Sequence, residues 1–157
     1  MPSRKPIATV HIVSIKFGVE FDVPAGWQYE NPGAGGVSEG AAGPGGYVNL
    51  TALGGPRSLA EACDAEAHHR MMPYGPQPRV EMMVKVAGHF GCRITPTVAD
   101  AIKEHIPAGL ITYYDPPLLI EPREIHQRPY DWLVISVDPP HLQQVERTLR
   151  FRPYTHG

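Results

Sequence analysis

The sequence predicts one α+β domain, residues 1–157, in which an antiparallel sheet of about six to seven strands is flanked by two to three helices. The first observation behind this is the distribution of 18 prolines and 16 glycines, which divide the chain into short alternating segments typical of strands. The second is the order of those segments: a strand pair, a strand, a helix, a strand meander, and a last strand with a closing helix. The third is size, because 157 residues with 42% apolar residues can bury one core.

The first two predicted strands form a hairpin. Residues 7–17 alternate with both sets mostly apolar, which predicts a strand covered on both faces. Gly18 permits a tight reversal. Between Val19 and Val23 apolar residues alternate with two acidic ones, as in a half-buried strand. Pro24 ends this strand because proline has no amide hydrogen to donate to the ladder.

A glycine-rich segment at residues 31–46 follows and contains seven glycines. Its composition predicts a long flexible loop, followed by a strand over residues 47–53. A phosphate-binding loop would lead into a helix N-terminus and would carry a Gly-Lys-Ser/Thr sequence. Since neither is present, we do not expect nucleotide binding here.

A capping box marks the start of the first helix. The Ser58 hydroxyl is placed to accept from the Glu61 amide, and the Glu61 carboxylate is placed to reach back. The helix is predicted over residues 59–70. Its inner stripe passes through Cys63, which predicts a core position for that cysteine.

The second half of the chain predicts further strands and two helices. Strands at residues 79–87 and 91–95 surround a bend at residues 88–91. After them the predicted elements are a short helix over 97–106 with Thr97 as cap, a strand over 110–114, a turn at 115–117, a strand fragment at 118–120 and a strand over 131–137.

The closing helix has the clearest pattern. Asp138 is predicted as its N-cap, and Pro139 occupies the first helical position, where its missing amide costs nothing. Leu142, Val145 and Leu149 form its apolar stripe.

Composition argues against several classes of partner. The 14 basic and 16 acidic residues leave a net charge of −2, so nucleic acid and anionic membranes are not expected partners. Two cysteines without close spacing are too few for a disulfide scaffold, which favours a reducing compartment. The sequence shows neither a signal peptide nor a membrane-spanning segment. Together these features predict a cytoplasmic protein.

Three segments of the chain resemble parts of a known superfamily. They are the turn Val23-Pro-Ala-Gly-Trp27, the helix after a central strand, and the closing strand and helix that end in Thr148-Leu-Arg-Phe151. In these places the chain resembles the superfamily named after the photosystem II extrinsic protein PsbP, which also includes a Ran-binding nuclear import factor and bacterial secretion chaperones. The resemblance implies an antiparallel sheet with helices on its faces and, usually, a non-enzymatic role in binding proteins. It carries over no functional residue.

Histidines provide the candidates for a small-molecule or metal site. His68, His69 and His89 are possible ligands, but adjacent helical histidines diverge by about 100°, and a zinc site would need further ligands. The simpler interpretation makes His68 and His69 exposed helix-end residues and lets the methionines fill the core or a sticky surface. We predict neither a metal nor a cofactor.

An enzyme is a weaker hypothesis. The chain contains no Gly-x-Ser-x-Gly elbow, and a hydrolase would require Cys92 and His89 to converge in a pocket. We predict no catalytic residue.

The leading hypothesis is a non-enzymatic module, of the adaptor or secretion-chaperone type, that binds another polypeptide. Aromatic residues such as Trp27 and Tyr47 are enriched at interfaces, although Trp27 is expected to serve as a structural anchor. A homodimer is compatible with this hypothesis.

Overall fold

A computed structural model describes residues 8–30, 38–118 and 130–152. These residues form ten strands, three α-helices and one 3-10 helix. The strands are β1 (Thr9–Ser14), β2 (Val19–Pro24), β3 (Gln28–Glu30), β4 (Glu39–Gly43), β5 (Gly46–Leu53), β6 (Arg79–Val86), β7 (His89–Thr95), β8 (Ala108–Leu118), β9 (Tyr130–Val137) and β10 (Arg150–Phe151). The helices are α1 (Leu59–Ala67), α2 (Val98–Lys103) and α3 (Leu142–Thr148), and the 3-10 helix is Pro139–His141.

The strands pair into two antiparallel sheets. The large sheet has seven strands in the order β3-β4-β5-β9-β8-β7-β6, and the small sheet has the order β1-β2-β10. The predicted α+β class, with an antiparallel sheet and helices, is therefore confirmed. The separation of the N-terminal hairpin into a second sheet was not predicted.

The small sheet covers one face of the large sheet, which we call the sheet-covered face. Val19, Phe21 and Val23 of β2 are fully buried and belong to one cluster with residues of β5, β8 and β9. The outward side of β1 is exposed, and Ile15, which follows β1, is 80% exposed. The prediction that residues 7–17 are covered on both faces is wrong, because the small sheet has only one large-sheet neighbour to bury against.

Helix α1 covers the opposite face, which we call the α1-covered face. Successive residues of β9 alternate between the two faces: Leu133 and Ile135 pack with the small sheet, whereas Trp132 and Val134 pack with α1. The large sheet is thus the middle layer, and both of its faces are apolar.

Cys63 and Cys92 form a disulfide that was not predicted from the sequence. The two sulfurs are 2.04 Å apart and the two Cα atoms 6.5 Å apart, across a sequence separation of 29. Cys63 is a core residue, as predicted, but it is bonded to β7 and not a free thiol. Two isolated cysteines reveal no partner in sequence, because only the packing of α1 on β7 brings them together. The cysteine-based argument for a reducing compartment does not hold.

The glycine-rich segment is also corrected. Residues 39–43 form β4 and pair with β5, and a tight turn joins them; residues 31–37 lie outside the described residues. At Gly40 a Cβ atom would lie 2.1 Å from the Val48 carbonyl oxygen. The glycine at this position lets the two strands pack closely, whereas the glycine-rich composition had predicted a flexible loop.

Three smaller predictions differ from the structure. Residues 115–117, predicted as a turn, lie within β8, where the pairing with β9 is irregular between Tyr113 and Leu118. Residues 119–120 of the predicted fragment 118–120 lie outside the described residues. Helix α1 ends at Ala67, three residues before the predicted end, and the 88–91 bend is a turn at Ala87 and Gly88 with φ of 54° and 88°.

None of the helices in the described ranges has the length and apolar content needed to cross a membrane.

Candidate functional site

Helix α2 carries exposed apolar side chains on one side. The predicted short helix is confirmed, and the Thr97 hydroxyl accepts a hydrogen bond from the Asp100 amide at 3.1 Å. Val98 and Ile102, whose apolar spacing is helical, are 75% and 69% exposed. They lie one turn apart on the helix and therefore project from the same side.

These two side chains border a groove of about 700 Å³. We call it the α2 groove. Its walls are α2, the turn between β4 and β5, and the start of the 3-10 helix. Its lining residues are Gly45, Gly46, Tyr47, Thr95, Pro96, Val98, Ala101, Ile102, His105, Asp138, Pro139 and Pro140.

Trp27 holds the wall opposite α2 in place. The indole Nε1 donates a hydrogen bond to the Pro44 carbonyl at 3.1 Å, and Trp27 is almost fully buried. A Cβ atom at Gly43 would lie 2.4 Å from the indole ring, so a glycine is required at this contact. These contacts indicate a structural role for Trp27, which is the role expected from the sequence.

Asp138 stabilises the same wall through hydrogen bonds of its carboxylate. One carboxylate oxygen accepts from the Tyr47 amide at 2.8 Å, and the other is hydrogen-bonded to the His141 ring. A Cβ atom at Gly46 would collide with this carboxylate. Asp138 occupies the predicted N-cap position and Pro139 the first helical position, but the element they begin is the 3-10 helix, and the Asp138 side chain makes no capping bond because it is engaged by β5 and His141.

Tyr47 contributes a half-buried aromatic ring to the α2 groove. Burial, together with the nearby Asp138 carboxylate, raises the pKa of its hydroxyl. Tyr47 is therefore a neutral amphipathic group at neutral pH. It can pack against an apolar ligand and still exchange a hydrogen bond.

A buried tyrosine lies in the connection between α1 and β6. Tyr74 is fully buried, and its hydroxyl donates to Glu66 at 3.4 Å. Its ring occupies the space that a side chain at Gly109 would need. The next residue is Gly75, where a Cβ atom would lie 3.0 Å from the Asp100 carboxylate of α2. The connection from α1 to β6 thus passes close to α2.

The three candidate histidines do not form one site. His68 caps the end of α1 and is exposed, and the ring of His69 accepts a hydrogen bond from the Met71 amide at 3.1 Å. His89 stacks on Tyr113 at 4.6 Å and on Phe151 at 4.8 Å. Within residues 8–30, 38–118 and 130–152, no cluster of three or more His, Cys, Asp or Glu side chains is arranged for a metal ion.

The Cys92 hypothesis is overturned by the disulfide. A nucleophilic cysteine acts as its thiolate, and the Cys92 sulfur is bonded to Cys63 and fully buried. The methionines near the candidate histidines lie on the surface and not in the core: Met71, Met72, Met82 and Met83 are all exposed.

Comparison with known proteins adds no assignment. No protein-family model, no curated protein and no solved structure matches the chain. The PsbP-like resemblance therefore stays a prediction.

Tyr47, named from sequence as a binding candidate, lines the α2 groove, whereas Val98 and Ile102 were not among the predicted binding residues. A signal was present. Pro96 and Pro107 limit α2 to six residues, and so short a helix cannot bury a full apolar stripe against the sheet. An apolar stripe on such a helix is a candidate for surface binding.

Proposed function

We propose that this protein is a non-enzymatic protein-binding module of the adaptor or secretion-chaperone type, and that the α2 groove receives an apolar segment of another polypeptide. The observation that carries the proposal is the exposure of Val98 and Ile102, at 75% and 69%, beside an apolar groove of about 700 Å³. Large apolar side chains that are exposed together beside a concavity are typical of interaction sites.

The construction of the α2 groove supports a preformed binding surface. Trp27 and Asp138 hold one wall through the hydrogen bonds to Pro44 and Tyr47. A surface held in this way loses little conformational freedom on binding, which favours affinity.

A non-enzymatic role agrees with the chemistry of Asp138. Both of its carboxylate oxygens are engaged, one with the Tyr47 amide and one with His141. A carboxylate so engaged serves the architecture of the wall and is poorly placed to accept a proton from a substrate.

A second candidate is an apolar small molecule in the same groove. A volume of about 700 Å³ lies within the range that accommodates small ligands, roughly 300–1,000 Å³. This candidate moves the small-molecule hypothesis away from His68, His69 and His89. The cytoplasmic location stays a prediction, and the Cys63–Cys92 bond weighs against it.

The test is selection from a displayed random-peptide library on the immobilised protein. We expect the selected peptides to contain two or more large apolar residues. We expect Ile102→Lys to weaken their binding at least tenfold, on the order of 1.4 kcal/mol, because the substitution places a charge in the groove. Lysine is compatible with the last turn of α2, where it complements the helix dipole.

Ile15→Lys is the matched control. Ile15 is an exposed isoleucine next to β1, distant in sequence from the α2 groove, and its replacement should leave peptide binding unchanged. Peptides that bind Ile102→Lys as well as the wild type contradict the proposal. The small-molecule candidate is favoured instead if no peptide is enriched and a fluorescent naphthalene sulfonate dye binds saturably. Ile102→Lys should then abolish the binding of the dye.

A further inference from the structure

Helix α1 has little apolar packing of its own. It has nine residues, and those it buries are Ala62, Cys63 and Ala67. Each alanine contributes a single methyl group, and the one large apolar side chain of the helix in this cluster is the partly buried Leu59 at its first residue, so the apolar area removed from water by α1 is modest. A helix of this length is also marginal in isolation. Apolar burial is therefore a limited attachment of α1 to the sheet.

The polar contacts of α1 are weak or confined to its ends. The Ser58 cap accepts from the Glu61 amide at 3.1 Å, and the Glu61 carboxylate accepts from the Arg57 amide at 3.4 Å. Both contacts stabilise the helix without joining it to the sheet. The Glu66 contact with Tyr74, at 3.4 Å, joins α1 to its following loop and not to a strand.

The disulfide is the covalent link between α1 and the sheet, and the Trp132 indole of β9 also donates a hydrogen bond to the Pro56 carbonyl, just before the helix, at 3.0 Å. Cys63 lies in the middle of α1 and Cys92 lies on β7, with both side chains buried. Beneath α1 lie large apolar side chains of β7, β8 and β9: Ile94, Ile111, Trp132 and Val134. Release of the helix would expose this set to water.

We propose that the Cys63–Cys92 bond is a redox-dependent fastener of α1, so that its reduction frees α1 and uncovers the apolar α1-covered face. The co-reactant is a dithiol. It gives two electrons and two protons, the Cys63–Cys92 sulfur bond breaks to two thiols, and the dithiol closes to its own disulfide. Because both sulfurs are buried, the reductant reaches the bond only when α1 opens, and the oxidised state is kinetically protected.

The test compares oxidised protein with protein reduced by dithiothreitol until both cysteines react with a thiol reagent. Amide hydrogen exchange followed by mass spectrometry reports on each segment. We expect the amides of α1 to lose protection on reduction at least tenfold more than those of β2 and β9. We also expect the melting temperature to fall by roughly 5–15 °C.

Cys63→Ala/Cys92→Ala is the second arm and should reproduce the reduced state without any reductant. If this variant does not fold, the reduced wild-type protein still decides the question. Unchanged protection of α1 after complete reduction overturns the proposal, because packing alone would then hold the helix. A loss of protection in β2 and β9 as large as that in α1 also overturns it, because reduction would then act on global stability and not on α1 in particular.

Discussion

The two faces of the large sheet are covered by different means. On the sheet-covered face, bulky side chains such as Phe17, Phe21 and Leu133 are completely buried and interlock between two sheets. On the α1-covered face, the helix contributes two alanines, the partly buried Leu59 and one half of a disulfide, and the loop after it contributes the buried Tyr74. The sheet supplies large side chains to both faces, whereas the covering layer on the α1 side supplies few of them.

This difference shows that burial of a sheet face does not identify what stabilises it. Interlocked side chains stabilise through the apolar area they remove from water and through their mutual packing. A covalent link acts differently, mainly by restricting the unfolded chain. The two faces should therefore respond differently to mutation, to reduction and to pH.

Phe21→Ala should give the largest effect and would break the sheet-covered face. Phe21 is fully buried in β2, and the cavity left by its ring should lower the free energy of unfolding by about 3–5 kcal/mol. Urea unfolding measures this change. Val13→Ala in the adjacent β1, at an exposed position, is the control and should cost less than about 1 kcal/mol. Equal losses in the two variants would mean that this face is not interlocked.

Arg93→Met should have an intermediate effect on the same face. The Arg93 guanidinium binds both oxygens of Glu146 on α3, at 2.6 and 2.7 Å, and Glu81 on β6 at 2.8 Å. Its loss leaves the half-buried Glu146 carboxylate without its partner, so we expect a cost of about 1–3 kcal/mol in urea unfolding at neutral pH.

Arg79→Met is the control for Arg93, because Arg79 contacts the same Glu81 carboxylate, at 3.7 Å, from an exposed position. An exposed pair of this kind contributes less than about 1 kcal/mol. A cost for Arg93→Met no greater than that of Arg79→Met would show that α3 is held by its apolar residues alone.

Glu66→Gln should give the smallest effect and tests the α1-covered face. Burial raises the pKa of the Glu66 carboxyl above its ordinary value. The folded protein therefore holds the proton more tightly than the unfolded chain, and the stability that Glu66 contributes at low pH is lost as pH rises through the folded pKa. Glutamine does not titrate. The free energy of unfolding of Glu66→Gln, measured in urea between about pH 4 and about pH 7, should therefore lack this decline.

Glu104→Gln, at an exposed position on the C-cap of α2, is the corresponding control and should preserve the wild-type decline. If the wild-type protein and Glu66→Gln have parallel stability curves over this interval, Glu66 does not contribute to the pH dependence of the α1-covered face.

Local patterns were sufficient for much of the fold. The alternation from Val19 to Val23 predicted a strand with one buried side, and that side is fully buried. Ser58 and Thr97 predicted two helix starts, and both hydroxyls accept the expected amides. These features depend on neighbours within a few residues, and such neighbours are visible in a sequence.

The candidate site was less predictable from the chain. Val98 and Ile102 have the spacing of a buried stripe, and only the position of α2 at the edge of the groove leaves them exposed. The apolar period of a helix identifies which residues share a side but not what that side faces. Of the weak candidates named from sequence, Tyr47 lies in the groove, whereas His68 and His69 lie at the end of α1 and His89 lies on β7.

The sequence by itself determined the class of the fold, the main strands and the starts of α1 and α2, because periodicity and capping act over one or two turns of chain. The tertiary structure alone decided three other features. It joined Cys63 to Cys92 across 29 positions, brought Asp138 to the Tyr47 amide across 91, and left the apolar side of α2 uncovered. Each depends on how distant elements pack, and the free energy of that packing is shared among many residues and carried by no local pattern.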